Sequence, residues 1–372
     1  MSGNILKGDF FTVTSKKEKT CLPLPGNCYL VTDTESTLRK RMKEDNYYIR
    51  SYSKNKPYSG YYVSTKLWVG DYVNGETFEE LGQRATGIER IAVMRADVDN
   101  LGQAFVRGFE NEKNGSKYVT LSRTATFSRK LSMFFKYHIN SLLKEGGYSI
   151  LEEEVQMEKE DDRRNALIVY SGGDDIFIVG AWDDIIGFAV DLHDNLMEYS
   201  QDTLKISAGI GIYPSKYPIS IMARETGRLE EAAKSVEGKN AVALFDEKYT
   251  FPWEEFIENV VEEKLYFIQK YFKVVDEKGK NFLYNLLELV RKRKEDKINI
   301  ARFAYLLGRM EPKVQRGEKK EEIEEKRDLH REFSRKMYEW IRVEKDAKEL
   351  EMAIYLYVYT KREKEEHDGV NE

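Results

Sequence analysis

Two short apolar runs, Leu167-Ile168-Val169-Tyr170 and Ile176-Phe177-Ile178-Val179, flank Ser171-Gly172-Gly173-Asp174-Asp175, and no other feature limits the fold of this chain as much. Apolar runs of this length on either side of a glycine turn read as an antiparallel hairpin. With Gly172 and Gly173 as the central residues of a two-residue loop, the expected turn is type I′, in which both φ angles are positive. Around the hairpin, strand and helix patterns alternate. Ile91-Ala92-Val93-Met94 is a strand that ends on Asp97-Val98-Asp99-Asn100. A helical pattern with Phe127, Leu131, Phe134, Phe135 and Leu142 follows it. Beyond the hairpin come a helix from Asp183 to about Ser200, a strand Leu204–Ile212, a helix from about Ile219 to Ser235, and a strand Ala241–Phe245. The order β-α-β-β-α-β, with a helix and strand appended, predicts an α+β fold. It is a ferredoxin-like palm with helices on one face of an antiparallel sheet.

Composition divides the chain into a β-rich connector segment over 1–86, the palm over 87–250 and an α-helical domain over 251–372. The first segment holds strand-like runs at Cys28–Val31, Gly60–Ser64 and Leu67–Val69, and a basic helix around Leu38–Lys43. Sixty basic residues against 65 acidic ones leave a net charge of −5, which excludes a uniformly basic nucleic-acid sleeve. Two cysteines, Cys21 and Cys28, exclude a disulfide framework and a cysteine-rich zinc ribbon. The dipeptides His193-Asp194 and His367-Asp368 lack further ligands at metal-site spacing, so a metal phosphohydrolase is not expected. No run approaches the roughly 18 apolar residues of a membrane span, and Met1-Ser2-Gly3-Asn4 is not followed by an apolar signal core. A cytoplasmic location without membrane contact is expected.

The chemistry concentrates in the acids. Asp174 and Asp175 stand side by side at the head of an apolar strand, where they repel one another unless a cation compensates. Gly-Gly-Asp is also ordinary turn chemistry. The first strand of a β-α-β-β unit lies beside the hairpin, so Asp97 and Asp99 are expected near Asp174 and Asp175 as hard oxygen ligands for Mg²⁺ or Mn²⁺. The amides of Asn100, Leu101 and Gly102, where a helix begins, suit phosphate oxygens, although Asn100 also fits a plain helix cap. Acids at strand ends with amides at a helix start make a nucleoside-triphosphate site of the palm type. Asp183 and Asp184 read as helix-start acids that favour the dipole and cap the amides. Lys239, in the turn Gly238-Lys239-Asn240, offers a cation for phosphate or is simply solvated.

These motifs carry a resemblance. Ile91 to Gly102, Ser171 to Asp175, Ile206-Ser207-Ala208-Gly209-Ile210, and Ala232-Ala233-Lys234-Ser235 with Gly238-Lys239-Asn240 occur in one order. They resemble the second, cyclase-like palm of the large signature subunit of type III CRISPR effector complexes, in the Csm or III-A branch. Ile300–Arg309, Ala353-Ile354-Tyr355 and Thr360-Lys361-Arg362 are similar to that subunit's C-terminal helical domain, and Leu22-Pro23-Leu24-Pro25-Gly26 with Tyr29-Leu30-Val31 to its connector. The resemblance implies that ATP is converted into cyclic oligoadenylate when the complex binds target RNA. It implies metal ligation by Asp97, the carbonyl of Val98, Asp174 and Asp175, with Gly172 and Gly173 shaping the hairpin that holds nucleotide. Phosphate contacts fall to Asn100, Leu101, Gly102 and Lys239, and Ser207 is placed near the base. The implied partners are the other subunits of the complex, CRISPR RNA and target RNA.

The family's His-Asp nuclease domain, first palm and zinc insertion are not visible, so the single-strand DNase is not expected here. The chain is expected to be half of a composite site, part of a longer or split subunit whose first palm and nuclease reside elsewhere. Two alternatives stay open: a scaffold module without catalysis, and an enzyme like the diguanylate cyclases, which share the hairpin. In the tail, Arg291-Lys292-Arg293-Lys294 and the mixed charges from Lys313 to Lys336 read as solvated helix faces or as RNA-backbone contacts. Phe303, Leu306, Leu307, Phe333, Met337 and Trp340 mark a bundle core beneath them.

Overall fold

The computed structural model describes residues 9–55, 65–110, 115–157, 162–275, 281–293, 296, 298–312 and 320–362. The expected strand Gly60–Ser64, the dipeptide His367-Asp368, and Lys294 lie outside the described residues. The chain divides into two compact units, one from 1–72, 107–141 and 170–174, the other from 73–106, 142–169 and 175–372. These units run across the compositional boundaries at 86 and 250, because the palm's first crossover is long and its middle, 107–141, packs with the N-terminal segment.

In the first unit, β1 (Phe10–Thr14), β2 (Leu22–Leu24), β3 (Cys28–Asp33), β4 (Tyr48–Lys54) and β5 (Thr65–Leu67) form a sheet in the order β2-β3-β1-β4-β5. Strand β1 alternates buried Phe10, Thr12 and Thr14 with half-buried residues, the period-two pattern of a one-sided sheet. The hydroxyls of buried Thr12 and Ser51 satisfy each other at 3.0 Å. The basic helix is α1 (Glu35–Glu44), started by a Thr34–Thr37 capping box. Cys21 and Cys28 are free thiols.

The second unit holds α2 (Phe78–Gln83), β6 (Ile91–Val98) and α3 (Leu101–Arg107). The crossover continues through α4 (Leu121–Met133), a π-helical segment Phe134–His138 and α5 (Ile139–Glu145), which divide the single helix expected over this stretch. After α6 (Glu153–Met157) come β7 (Ala166–Ser171), β8 (Asp175–Ala181), α7 (Trp182–Ser200), β9 (Ile206–Tyr213), α8 (Ile219–Lys234), β10 (Ala241–Leu244) and β11 (Thr250–Pro252). The sheet order is β11-β10-β9-β6-β8-β7. The four strands β9-β6-β8-β7 give the ferredoxin-like arrangement, with β6 antiparallel to both β8 and β9. The appended β10 runs parallel to β9.

Helices on one face are not the whole arrangement. Ile91 to Met94 are all fully buried, so both faces of β6 are covered. Ile91, Val93, Val179 and Tyr213 pack with Met222 of α8, which puts the appended helix on the face that carries Arg95 and Asp97. Gly209 allows this close approach. A Cβ there would meet the Thr226 carbonyl oxygen at 2.6 Å and the Glu230 backbone nitrogen closer still. Gly209→Ala is therefore expected to destabilise the chain by roughly 1–3 kcal/mol, read as a lower urea midpoint, by forcing α8 away from β9.

The tail is helical, as expected. A π-helical segment Glu255–Leu265 leads into α9 (Tyr266–Val274), followed by α10 (Asn281–Lys292), α11 (Ile298–Gly308), α12 (Lys320–Arg342) and α13 (Glu344–Lys361). Phe303, Leu307, Phe333, Met337 and Trp340 are buried, and Leu306 is half-buried. Several of the tail's charges are spent within it. Arg291 pairs with Glu351 at 2.9 Å, and Lys292 with Glu288 at 2.5 Å. Among the described residues no helix is long and apolar enough to cross a membrane.

Candidate active site at the strand tips

Strand β6 runs four residues past Met94, so Asp97 lies within it rather than after it. The register sets Asp97 opposite Asp175 on β8 and opposite Ser207 on β9. Cross-strand partners project from the same face, so the two carboxylates are direct neighbours. Such a like-charged pair is unfavourable, and α8 supplies the compensation. Lys234 Nζ lies 2.5 Å from Asp97 Oδ2 and 2.7 Å from Glu230 Oε1, and Arg95 Nε lies 3.1 Å from Glu230 Oε2. Burial alone would lower the Lys234 ammonium. Hydrogen bonds and charge from Asp97 and Glu230 outweigh it and hold the group raised.

The next acid on the same face has a different setting. Asp99 is only 5 % exposed, and its Oδ2 accepts the Ser207 hydroxyl at 2.9 Å and the Asn240 amide at 3.0 Å. Its Oδ1 is buried with no partner among the described residues, as is Asn240 Oδ1. Ser207, expected beside a nucleotide base, is instead fully buried with its hydroxyl given to Asp99. Val98 points its side chain into the opposite layer and pairs with Ile206.

Asn100 departs from a simple cap. It is exposed, with φ of 54°, and only its carbonyl serves α3, accepting the Gln103 and Ala104 amides at 2.9 and 3.1 Å. Gly102 is exposed, with nothing within 4 Å of where a Cβ would stand. The amides of Asn100, Leu101 and Gly102 thus start a helix of only seven residues, too short for a strong dipole. Lys239 and Asn240 are both left-handed, with φ of 54° and 51°.

The glycine hairpin differs from expectation in one respect. Neither Gly172 nor Gly173 has a positive φ, because the connection from Ser171 to Asp175 spans three residues, too wide for the type I′ turn. Gly172, Gly173 and Asp174 belong to the first unit, and Asp175 to the second. Within the first unit, the Ser171 hydroxyl donates to the Phe135 carbonyl in the π-helical segment, and Ser132 Oγ stands 3.6 Å from where a Gly173 Cβ would be. A π segment of this kind often marks a functional position.

Asp183 and Asp184 do open α7, in its first turn after the N-cap residue Ala181, and they also bind neighbouring segments. Asp184 Oδ2 accepts both nitrogens of Asn165, at 3.0 and 2.9 Å, and Asp183 accepts the Thr86 amide at 3.4 Å. His193 stacks on Trp253 with ring centroids 5.0 Å apart.

Sequence reasoning therefore located Asp97, Asp99 and Asp175 but missed Lys234, Glu230 and Asn240, and it read Asp99 as a metal ligand where the structure has it accept from Ser207 and Asn240. Among the described residues no group of three His, Cys, Asp or Glu stands ready to hold a metal. The donor chemistry nevertheless fits a hard divalent cation, because two carboxylates face each other and an ammonium already sits on one of them.

Comparison with known proteins bears on this site. A family model described as Cas10/Cmr2, second palm domain, matches residues 90–243. One described as CRISPR RNA silencing complex Cmr2 subunit, second helical domain, matches residues 269–363. The CRISPR system single-strand-specific deoxyribonuclease Cas10/Csm1 (subtype III-A) of Mycobacterium tuberculosis is 44 % identical over 347 residues, 92 % of this chain and 40 % of the relative. The protein of the same description from Streptococcus thermophilus is 39 % identical over 357 residues, 94 % of this chain and 42 % of its own length. The chain thus spans less than half the length of these relatives. A crystal structure of a Csm1-Csm4 cassette in complex with AMPPNP aligns with a TM-score of 0.60 at 25 % identity, covering 92 % of this chain and 48 % of that one.

Proposed function

The chain belongs to the Cas10/Csm1 proteins of subtype III-A CRISPR systems, as the stretch with the second palm and the helical tail, and from that membership we propose that it provides one half of a nucleotidyltransferase site that joins ATP into cyclic oligoadenylate within a type III effector complex. The observation that carries the reading is the register pair Asp97–Asp175 at the strand tips. The AMPPNP complex of the similar Csm1-Csm4 cassette supports an adenine nucleotide as the ligand, and supports a Csm4-like subunit as a partner.

In this reading Asp97 and Asp175 hold Mg²⁺ or Mn²⁺, with the Val98 carbonyl as a further donor. The bound ion would activate a ribose 3′-hydroxyl and offset charge on the departing pyrophosphate. Lys234 offsets the repulsion between the paired acids, and Lys239, which has no ion-pair partner among the described residues, binds phosphate oxygens. Phosphate binding is assigned to Lys239 rather than to the short α3. CRISPR RNA and target RNA are met through the assembled complex, since the chain itself carries a net charge of −5. The deoxyribonuclease activity in the relatives' description is not proposed for this stretch.

Calorimetry and a turnover assay test the reading together. The chain is expected to bind ATP only with Mn²⁺ or Mg²⁺ and to release pyrophosphate and oligoadenylate when joined to a first palm. Metal-dependent binding of GTP in preference to ATP would favour a diguanylate-cyclase-like enzyme. No metal-dependent nucleotide binding at all would leave only a scaffold.

A further inference from the structure

We propose that Asp99 is a positioning residue for nucleotide binding, whose carboxylate clamps the left-handed Lys239–Asn240 turn and so keeps Lys239 where it meets the triphosphate. The inference deepens the reading above and rests on it. Asp99 Oδ2 joins two segments far apart in sequence, accepting from Ser207 Oγ on β9 and from the Asn240 amide after α8. The Asp99 amide donates to the Lys205 carbonyl at 2.8 Å, so the residue is tied from its backbone as well to the segment that leads into β9.

The clamped turn is costly to form. Lys239 and Asn240 are consecutive non-glycine residues with positive φ, a conformation that asparagine tolerates but that disfavours the lysine by roughly 1–2 kcal/mol. Backbone bonds hold its ends, from the Lys239 amide to the Val236 carbonyl at 2.9 Å and from the Trp253 amide to the Asn240 carbonyl at 3.1 Å. Among the described residues the Asn240 amide donates to Asp99 Oδ2 alone. The clamp thus uses one accepting oxygen rather than the charge, since Oδ1 has no hydrogen-bond partner among the described residues. Asparagine would keep the accepting oxygen and add an amide donor in place of the bare oxygen.

The test uses the full chain and three variants, Asp99→Ala, Asp99→Asn and Lys239→Ala, with the double variant of the two alanines. Calorimetry measures binding of Mg²⁺–ATP and of Mg²⁺–inorganic triphosphate, and hydrogen exchange follows the Asn240 amide. Asp99→Ala and Lys239→Ala are each expected to weaken both ligands by roughly 10-fold or more, the scale of one charge-assisted hydrogen bond. The double variant is expected to lose no more than Lys239→Ala alone, since the two act as one unit. Asp99→Asn is expected to bind like the unaltered chain. Exchange at Asn240 should accelerate in Asp99→Ala and not in Asp99→Asn. Additive losses, failure of asparagine to rescue, or unchanged exchange in Asp99→Ala would overturn the inference. Binding abolished by Asp175→Asn but untouched by Asp99→Ala overturns the inference alone. Absence of metal-dependent ATP binding in the unaltered chain overturns the parent reading and the inference with it.

Discussion

Asp175→Asn is expected to weaken metal-dependent ATP binding by about 100-fold or more while leaving the chain as stable as before, or slightly more stable. The two effects have opposite signs for one reason. Asp97 and Asp175 are register partners, and like charges set directly opposite one another cost a sheet about 0.2–1 kcal/mol. Removing one charge relieves that cost, while the asparagine keeps the volume and polarity of the strand tip. The same removal leaves a divalent cation one carboxylate short, and the electrostatic stabilisation supplied by such an ion amounts to several kcal/mol, with each 1.4 kcal/mol about tenfold. Calorimetry with Mn²⁺–ATP and a urea titration on one preparation read both signs. Unchanged affinity, or weaker binding that merely follows a loss of folding, would show that the pair is structural.

The largest stability effect is expected far from this site, in the helical tail. Lys264 is fully buried, and its ammonium lies 2.7 Å from Glu349 Oε2, with Glu349 only 1 % exposed. Glu263 at 3.0 Å and Asp346 at 3.4 Å also face Lys264, but from partly exposed positions, and the Trp340 ring lies 5.1 Å away. Lys264→Met leaves Glu349 buried with Asn259, at 3.2 Å, as its remaining partner among the described residues. Breaking a buried pair from one side costs about 3–5 kcal/mol, whereas Glu349→Leu should cost less because Lys264 keeps two acids. The double variant Lys264→Met/Glu349→Leu should recover most of the loss. Burial alone would lower the Lys264 ammonium, but the hydrogen bonds of Glu349 and Glu263 outweigh it and hold it raised. A value raised in the folded state means the pair's contribution is complete below the unfolded lysine value of about 10.4. It fades only as pH climbs through the higher folded value. Urea midpoints of Lys264→Met should therefore fall by the same amount across neutral pH. A loss confined to alkaline pH would contradict the assignment.

Much of the architecture was legible along the chain. The hairpin, the helices α7 and α8 and the strands around them are each decided by local periodicity and by glycine and proline punctuation. Asp97 and Asp175 followed as well, because a β-α-β-β order leaves the first strand beside the hairpin and a carboxylate at each tip. Lys234 was not legible as a partner of Asp97. It lies 137 residues away in sequence, and only the packing of α8 onto Gly209 brings its ammonium to that face. The φ of the hairpin glycines was also misjudged, since loop width depends on where the strand pairing stops rather than on residue identity.

By itself the sequence determined the elements, their order and which acids end up at strand tips, because side-chain periodicity and turn chemistry act over a few neighbouring residues. Only the tertiary structure decided how charge is balanced there. Asp97 against Lys234, Asp99 against Ser207 and Asn240, and Lys264 against Glu349 are contacts between segments that meet only once the chain has packed. Coulomb and hydrogen-bond energies depend on distance and burial, and neither is written in the spacing of residues along a strand.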